Sequence, residues 1–403
     1  MSGKPLDGIR VVELSTFVAA PSCARSLASF GADVIKVEGF NGDPWRTSGM
    51  NMIRRGADEN PIFDVYNADK RSICINIKTD AGLEALHRLL EKADIFITNT
   101  RAKSLVKLGL DAETLLKRYP RLIFASVDGF GDVGPDAASP GFDNVAFWTR
   151  SGFLLDMAIE SAGSYPVMPP TGGGDVVSGD MLLSGILAAL YRREKTGRGD
   201  TVKVSLYGAA IWMNSSMIIR AEPKYGEHFP KTRGQMNPFT TQYRCADGEW
   251  FCITILEYDR YASKVYELLG ITDEIAAIGV DSYASMKANS DRMMPIMEKA
   301  FASKPLEEWV DIFHKADIVG GAMTHLRDVA VDEQARLNHF VEDYTFRNGE
   351  TAVMPCPPCR FGSCGREASK IAPLPGEQTD SILNELGYSE NEIERMRSDG
   401  AVK

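Results

Sequence analysis

Between residues 9 and 131 short apolar runs alternate with amphipathic ones, and this alternation limits the chain to few folds. Ile9–Leu14 reads as a strand, Cys23–Phe30 as a helix and Asp33–Val37 as a second strand. "RSICINIK", "DIFITN" and "LIFASVDGFG" give further strands, separated by the helical stretches "DAGLEALHRLLEKA" and "SLVKLGLDAETLLKRYP". Strands joined through helices cannot pair as hairpins, so they predict a parallel sheet with helices on its faces, an α/β fold.

Beyond this region, 176–195 reads as one long helix that Gly197 ends, and "TVKVSLYGAAIWMNSSMII" continues as strand and helix. The polar, turn-rich stretch 221–240 predicts a linker, "TQYRCADGEWFCITIL" a hairpin turning at Asp247 and Gly248, and 257–316 the helices of a smaller α+β domain. The division expected is a large domain over 1–220, a linker and small domain over 221–328, and a return segment over 329–403. A length of 403 residues accommodates such a division, at roughly 150 residues per domain.

The net charge of -10 argues against a nucleic-acid partner, because phosphate backbones need a basic face. The start "MSGKPLDGIRVVELS" lacks the apolar core of a signal peptide, and no run of about 18 uncharged apolar residues points to a membrane span. A cytoplasmic protein is expected. Its seven cysteines suit reduced thiols better than a disulfide framework. Cys356, Cys359 and Cys364 cluster in "CPPCRFGSC", but neither a second cysteine pair nor a nearby histidine completes a tetrahedral zinc set, so no metal is expected.

The loop after the first strand, "STFVAAPSC", lacks the Gly-x-Gly-x-x-Gly of a dinucleotide site, and Glu38 alone is a weak stand-in for its ribose-binding acid. No phosphate-loop lysine occurs either, although "PPTGGGDVVSG" sets Gly172, Gly173 and Gly174 before Asp175 and an apolar helix. Asp175 reads as a helix N-cap or as a nucleophilic carboxylate kept ionised by the helix start, and the two readings are compatible. The glycines read as a flexible turn or as bare backbone whose N–H groups serve an oxyanion.

"LDGIRVVELSTFVAAP", "FGADVIKVE", "NADKRSICINIK", "ADIFITNTR", "LGLD", "PGFD", "GGGD" and "KTGRGDTVKVSL" follow the order and spacing of the family III CoA-transferases, which the chain resembles over nearly its whole length. "ENPIFDVYNADKR", "PGFDNVAFWTRSG" and "YRCADGEWFCITILEYDRY" look like the members that act on phenyllactate or 2-hydroxyisocaproate in amino-acid-fermenting anaerobes. The resemblance implies a Rossmann-like large domain with a parallel sheet, a smaller α+β domain and an interlocked homodimer. It implies no permanently bound cofactor; coenzyme A and acyl-CoA are substrates, exchanged with a free carboxylic acid.

By the same resemblance Asp175 is the nucleophile, passing through an aspartyl anhydride and an aspartyl-CoA thioester. CoA binding falls on Val18, Ala19, Asn76, Lys78, Asn99, Thr100, Arg101 and Lys107, while Phe142 and Asp143 border the site. Asp143 reads equally as a substrate-orienting acid and as a turn residue. The lid that is glycine-rich in formyl-CoA transferase corresponds to "TRGQMNPFTTQY", with Gly234 alone and Asn237, Pro238 and Phe239 nearest the site. This departure suits a bulkier apolar acyl group than formyl or oxalyl. Phe147 and Trp148 read as acyl contacts or as core.

Two alternatives carry other features. An α-methylacyl-CoA racemase needs a histidine in a "GHD" context, where this chain has "GFD", and its histidines at 87, 228, 314, 325 and 339 lie elsewhere. A non-catalytic acyl-CoA-binding protein has no need of an aspartate behind three glycines.

Overall fold

Strands β1 (Arg10–Leu14), β2 (Asp33–Glu38), β3 (Arg71–Cys74), β4 (Ile95–Thr98), β5 (Ile123–Asp128) and β6 (Thr201–Ser205) form a sheet of order β3-β2-β1-β4-β5-β6. All neighbours in it run parallel. This computed structural model describes residues 3–52, 59–157, 166–365 and 367–403. The sheet belongs to a first unit of Met1–Gly152, Met168–Ile218 and Asp332–Lys403; Phe153–Val167 and Ile219–Val331 form a second unit.

The strands are apolar on both faces, as a sheet covered by helices requires: Val11, Val12, Ile95, Phe96 and Ile97 are fully buried. Helices α1 (Ala19–Ser29), α2 (Trp45–Met50), α3 (Pro61–Asn67), α4 (Asp80–Glu91), α5 (Ala102–Leu108) and α6 (Ala112–Arg118) connect or flank them. Leu86, Leu89 and Leu90 of α4 enter the same apolar cluster as Ile382, Leu383 and Met396 near the C-terminus. The C-terminal segment also extends the sheet's margin, where Gln378 exchanges hydrogen bonds with Ser72 and Val402 bridges to Ile75.

Two helix starts differ from expectation. Helix α1 begins at Ala19 rather than near Cys23, because the small residues Ala19 and Ala20 pack tightly and Pro21 is tolerated in a first turn. After the short α7 (Phe153–Asp156), α8 runs from Gly173 to Thr196, so Asp175 is not its N-cap but its third residue. Gly172 occupies the N-cap with φ 88°, a left-handed conformation that glycine adopts without strain. Helix α8 is long and apolar enough to cross a membrane by composition, yet it packs on α1, β5 and β6. A side chain at Gly179 would meet Ser22 Oγ and the Ala19 carbonyl, which accounts for a glycine at this close helix approach.

Beneath the first loop lies a buried charge network. Lys36 Nζ stands 2.9 Å from both Glu13 Oε1 and Asp43 Oδ2, and Lys70 Nζ stands 2.7 Å from Glu13 Oε2, with all four side chains inaccessible to solvent. Burial pushes the Glu13 carboxyl up, but the two ammonium groups outweigh it and hold its pKa at about 2. Asp43 Oδ1 accepts from the N–H groups of Phe17 and Trp45, so the network fixes the loop at Phe17, itself strained at φ 64°.

The second unit contains an antiparallel sheet of β7 (Thr240–Arg244), β8 (Trp250–Thr254) and β9 (Gly320–Ala322), its first turn made by Gly248 at φ 88°. Helices between 258 and 315 cover it around an aromatic core in which Tyr243 stacks on Phe301 at 4.6 Å.

Candidate active site

The strand order reverses between β1 and β4, and in doubly wound sheets ligands bind outside the carboxyl ends at such a point. Asn99, just past β4, spans the gap: its Oδ1 accepts from the Thr16 N–H at 3.0 Å and its Nδ2 donates to the Thr16 carbonyl at 2.7 Å. Asn99 therefore locks the first loop. Thr100 is held through its N–H to Thr98 Oγ1.

The first loop delivers Phe17 and Val18 to the glycine turn. A methyl placed on Gly172 would lie 3.5 Å from Val18 Cγ1 and 3.6 Å from Tyr66 Oη. Phe17 packs edge-to-face on Phe142 at 5.2 Å, and Val18, Trp45, Phe63, Tyr66 and Val176 share one apolar cluster. Val18, Phe142, Asp143, Gly172, Gly173, Gly174 and Asp175 thus gather in one place, with Tyr66 added. Tyr66 has no motif around it in the sequence; only its position on a helix next to "NADKR" hinted at the site.

Asp143 is buried and organises the turn. Its Oδ2 accepts from the Gly172 N–H at 3.0 Å and the Trp148 indole N–H at 3.1 Å, and its Oδ1 accepts from the Asp175 N–H at 3.0 Å. It is therefore the acid that caps α8, from a distant part of the chain. Burial still leaves the Asp143 carboxyl above its ordinary range despite these donors. Gly174 faces it so closely that a side chain there would clash with Asp143 and Phe147. Phe147 is core, while Phe142 is 59% exposed and lies open on the loop.

Asp175 is partly buried on the first turn of α8. The helix start does not keep it fully ionised as the sequence led us to expect. Burial, then the charge of Asp143, push its pKa up to about 7, outweighing a helix-dipole contribution of typically below 1 kcal/mol. Tyr66 is shifted up as well, by burial and by the charges of Asp175 and Asp143, so it is a neutral phenol.

The remaining residues expected at the site are spread along the sheet's carboxyl edge or belong to the second unit. Ala19 is buried in the first turn of α1. Asn76, beyond β3, donates to the Gly400 carbonyl and accepts from the Lys78 N–H. Lys78, Arg101 and Lys107 are exposed, without ion pairs among the described residues. Glu38, considered as a ribose ligand, is buried and bound by Arg46, Ser72 and the Asp43 N–H. Gly234, Asn237, Pro238 and Phe239 belong to the second unit. Gln235 to Pro238 line a cavity of about 700 Å3 there, together with Glu227, Lys231 and Tyr283. Phe239 instead is fully buried against Tyr258 and Tyr266, because its ring completes that unit's core. Among the described residues no cluster of three or more His, Cys, Asp or Glu side chains could hold a metal.

The sheet is doubly wound, its first loop lacks the dinucleotide glycines, and Asp175 with its raised pKa lies on the helix turn packed beside that loop. The profile of CoA-transferase family III matches residues 6–379, and the chain belongs to that family. It is 35% identical to an (R)-2-hydroxy-4-methylpentanoate CoA-transferase of Clostridioides difficile over 99% of each chain. A cinnamoyl-CoA:phenyllactate CoA-transferase of Clostridium sporogenes is also 35% identical, over 98% of this chain and 96% of that one. Among solved structures, a CAIB/BAIF family protein from Brucella suis superposes with a TM-score of 0.78 at 27% identity, covering 95% of this chain and all of its own. The protein is a CoA-transferase.

Proposed function

We propose that the protein moves CoA from an acyl-CoA thioester to a free 2-hydroxy or 2-enoyl acid with an aromatic or branched side chain, using Asp175 as nucleophile. The carrying observation is the Asp175 carboxylate itself, on the first turn of α8, with its N–H held by Asp143, its pKa raised to about 7 and Tyr66 near enough to feel its charge. Its oxygen attacks the thioester carbonyl, forming a mixed anhydride and expelling CoA thiolate. The thiolate then attacks the aspartyl carbonyl, releasing the donor acid and leaving an aspartyl-CoA thioester. The acceptor carboxylate reverses both steps, and Asp175 emerges free.

The substrate class draws on the two relatives' acids and on the apolar loop around Phe17 and Phe142. CoA would lie along the carboxyl edge, with Val18, Ala19, Asn76, Asn99 and Thr100 near its pantetheine and adenosine, and Lys78, Arg101 and Lys107 offering charge to its phosphates. A racemase reading lacks its histidine: Phe142 precedes Asp143, and His87 is engaged with Tyr119 at 3.2 Å. We read the molecule as an interlocked homodimer, supported by exposed apolar side chains on α8 and the helix α9 (Leu206–Met213). Seven free cysteines fit a reducing cytoplasm.

The test is exchange of CoA among cinnamate, phenyllactate, 2-hydroxy-4-methylpentanoate, oxalate and formate, followed by mass spectrometry of the protein after hydroxylamine quench. The expected result is transfer among the first three acids, a hydroxamate on Asp175, and no transfer by Asp175→Asn. Transfer by Asp175→Asn, or reaction with oxalate and formate alone, defeats the reading.

A further inference from the structure

Attack by Asp175 creates negative charge on the acyl oxygen, and that charge needs a donor held in place beforehand. The glycine turn is the obvious source, but its N–H groups are already committed. Those of Gly172 and Asp175 go to Asp143, and that of Gly174 also acts on the Asp143 carboxylate. The Gly173 N–H goes to the Pro170 carbonyl and the Val176 N–H to the Gly172 carbonyl. Nor does either aspartate have a cationic partner among the described residues.

One donor beside the turn is free. The Tyr66 hydroxyl makes no hydrogen bond among the described residues, although the ring is partly buried. It lies 3.6 Å from the point where a methyl on Gly172 would sit, on the side of the turn that Val18 also lines. Its helix is firmly held: Asn60 caps α3 by accepting from the Phe63 N–H, and Asp64 accepts from the Tyr344 hydroxyl. Buried Asn67 donates to the Phe63 carbonyl and accepts from Lys70 Nζ. A phenol so placed cannot swing far, and burial, then the charges of Asp175 and Asp143, keep it protonated.

We propose that Tyr66 is a further catalytic residue, donating its O–H to the acyl oxygen as Asp175 attacks, in place of the committed glycine N–H groups. The proposal rests on the reading of Asp175 as nucleophile. No proton is transferred: the hydrogen bond strengthens as the carbonyl becomes an oxyanion and relaxes when CoA thiolate leaves. The same donor serves the first and last of the four acyl transfers, whose tetrahedral carbon is the substrate acyl carbon bonded to an Asp175 oxygen; in the middle two the carbon attacked is the carboxyl carbon of Asp175 itself.

Tyr66→Phe removes only the oxygen and keeps the ring in its apolar cluster. The experiment mixes wild type, Tyr66→Phe and Asp175→Asn with cinnamoyl-CoA or 2-hydroxy-4-methylpentanoyl-CoA, whichever the wild type turns over faster, and follows adduct formation on Asp175 within one turnover. Tyr66→Phe is expected to form the adduct about 100-fold more slowly or worse, with KM and melting temperature near those of wild type. Adduct formation at the wild-type rate overturns the proposal. So does a loss confined to KM, or one matched by a fall in melting temperature, either of which assigns Tyr66 to packing. Transfer by Asp175→Asn sinks the nucleophile reading instead, which separates the two failures.

Discussion

At the scale of single residues, the proposed nucleophile Asp175 and its neighbour Asp143 predict a pH dependence. The attacking species in the proposed mechanism is the carboxylate, and a pKa of about 7 means that much of Asp175 is protonated in mildly acidic solution. The kcat/KM should therefore rise with pH across about pH 5 to 8 and level off above, since this ratio reports groups of the free enzyme. Removing the neighbouring charge in Asp143→Asn should move the acid limb to lower pH, though burial will keep it above that of an ordinary aspartate. A wild-type profile flat over that range, or a limb unmoved in Asp143→Asn, refutes the assignment. Asp175 stood out in the sequence because "GGGD" precedes an apolar helix, and the resemblance to the CoA-transferases gave it the expected role of nucleophile. Its elevated pKa was not legible, since that depends on Asp143, 32 positions away and brought close only by folding. Tyr66 was illegible for a similar reason: a lone tyrosine on a short helix carries no spacing signal.

At the scale of elements, the start of α8 shows why three glycines stand together, and each has a different reason. Gly172 needs its left-handed φ, Gly174 needs the absence of a side chain, and Gly173 needs neither. A side chain at Gly174 would approach Asp143 and Phe147, both buried and unable to yield, whereas one at Gly173 would meet Trp148 at 3.5 Å, an ordinary contact. Gly174→Ala should therefore lose about 1–3 kcal/mol of stability by overpacking and most of its transferase activity, as the Asp143 cap is displaced. Gly173→Ala should be neutral or slightly stabilising, because alanine favours the helix by up to about 1 kcal/mol. Urea denaturation of both variants decides the point, and equal stabilities would refute it. The alternation of strands and helices was readable along the first 131 residues because each parallel strand is buried on both faces and each helix on one. The true start of α8 was not, because glycines ordinarily end helices and here the cap comes from another part of the chain.

At the scale of the whole molecule, the exposed apolar side chains bear on assembly. On α8, Leu187 and Tyr191 stand one turn apart, and α9 packs beside it, carrying Ile211 and Trp212. Trp212 is 72% exposed and Tyr191 66%. An isolated apolar side chain on a surface needs no explanation, but several on two adjoining helices mark a face that association would bury. A homodimer using this face accounts for an apolar helix as long as α8 remaining half uncovered in the single chain. Replacing Trp212 and Tyr191 together with glutamate places two charges where burial would desolvate them, at a cost of several kcal/mol per ion. Sedimentation velocity should find the wild type as a dimer and the double variant shifted to monomer. A monomeric wild type would remove the dimer from the reading. A double variant that remains dimeric would place the interface on another surface, because two buried, unpaired carboxylates at its centre could not be accommodated.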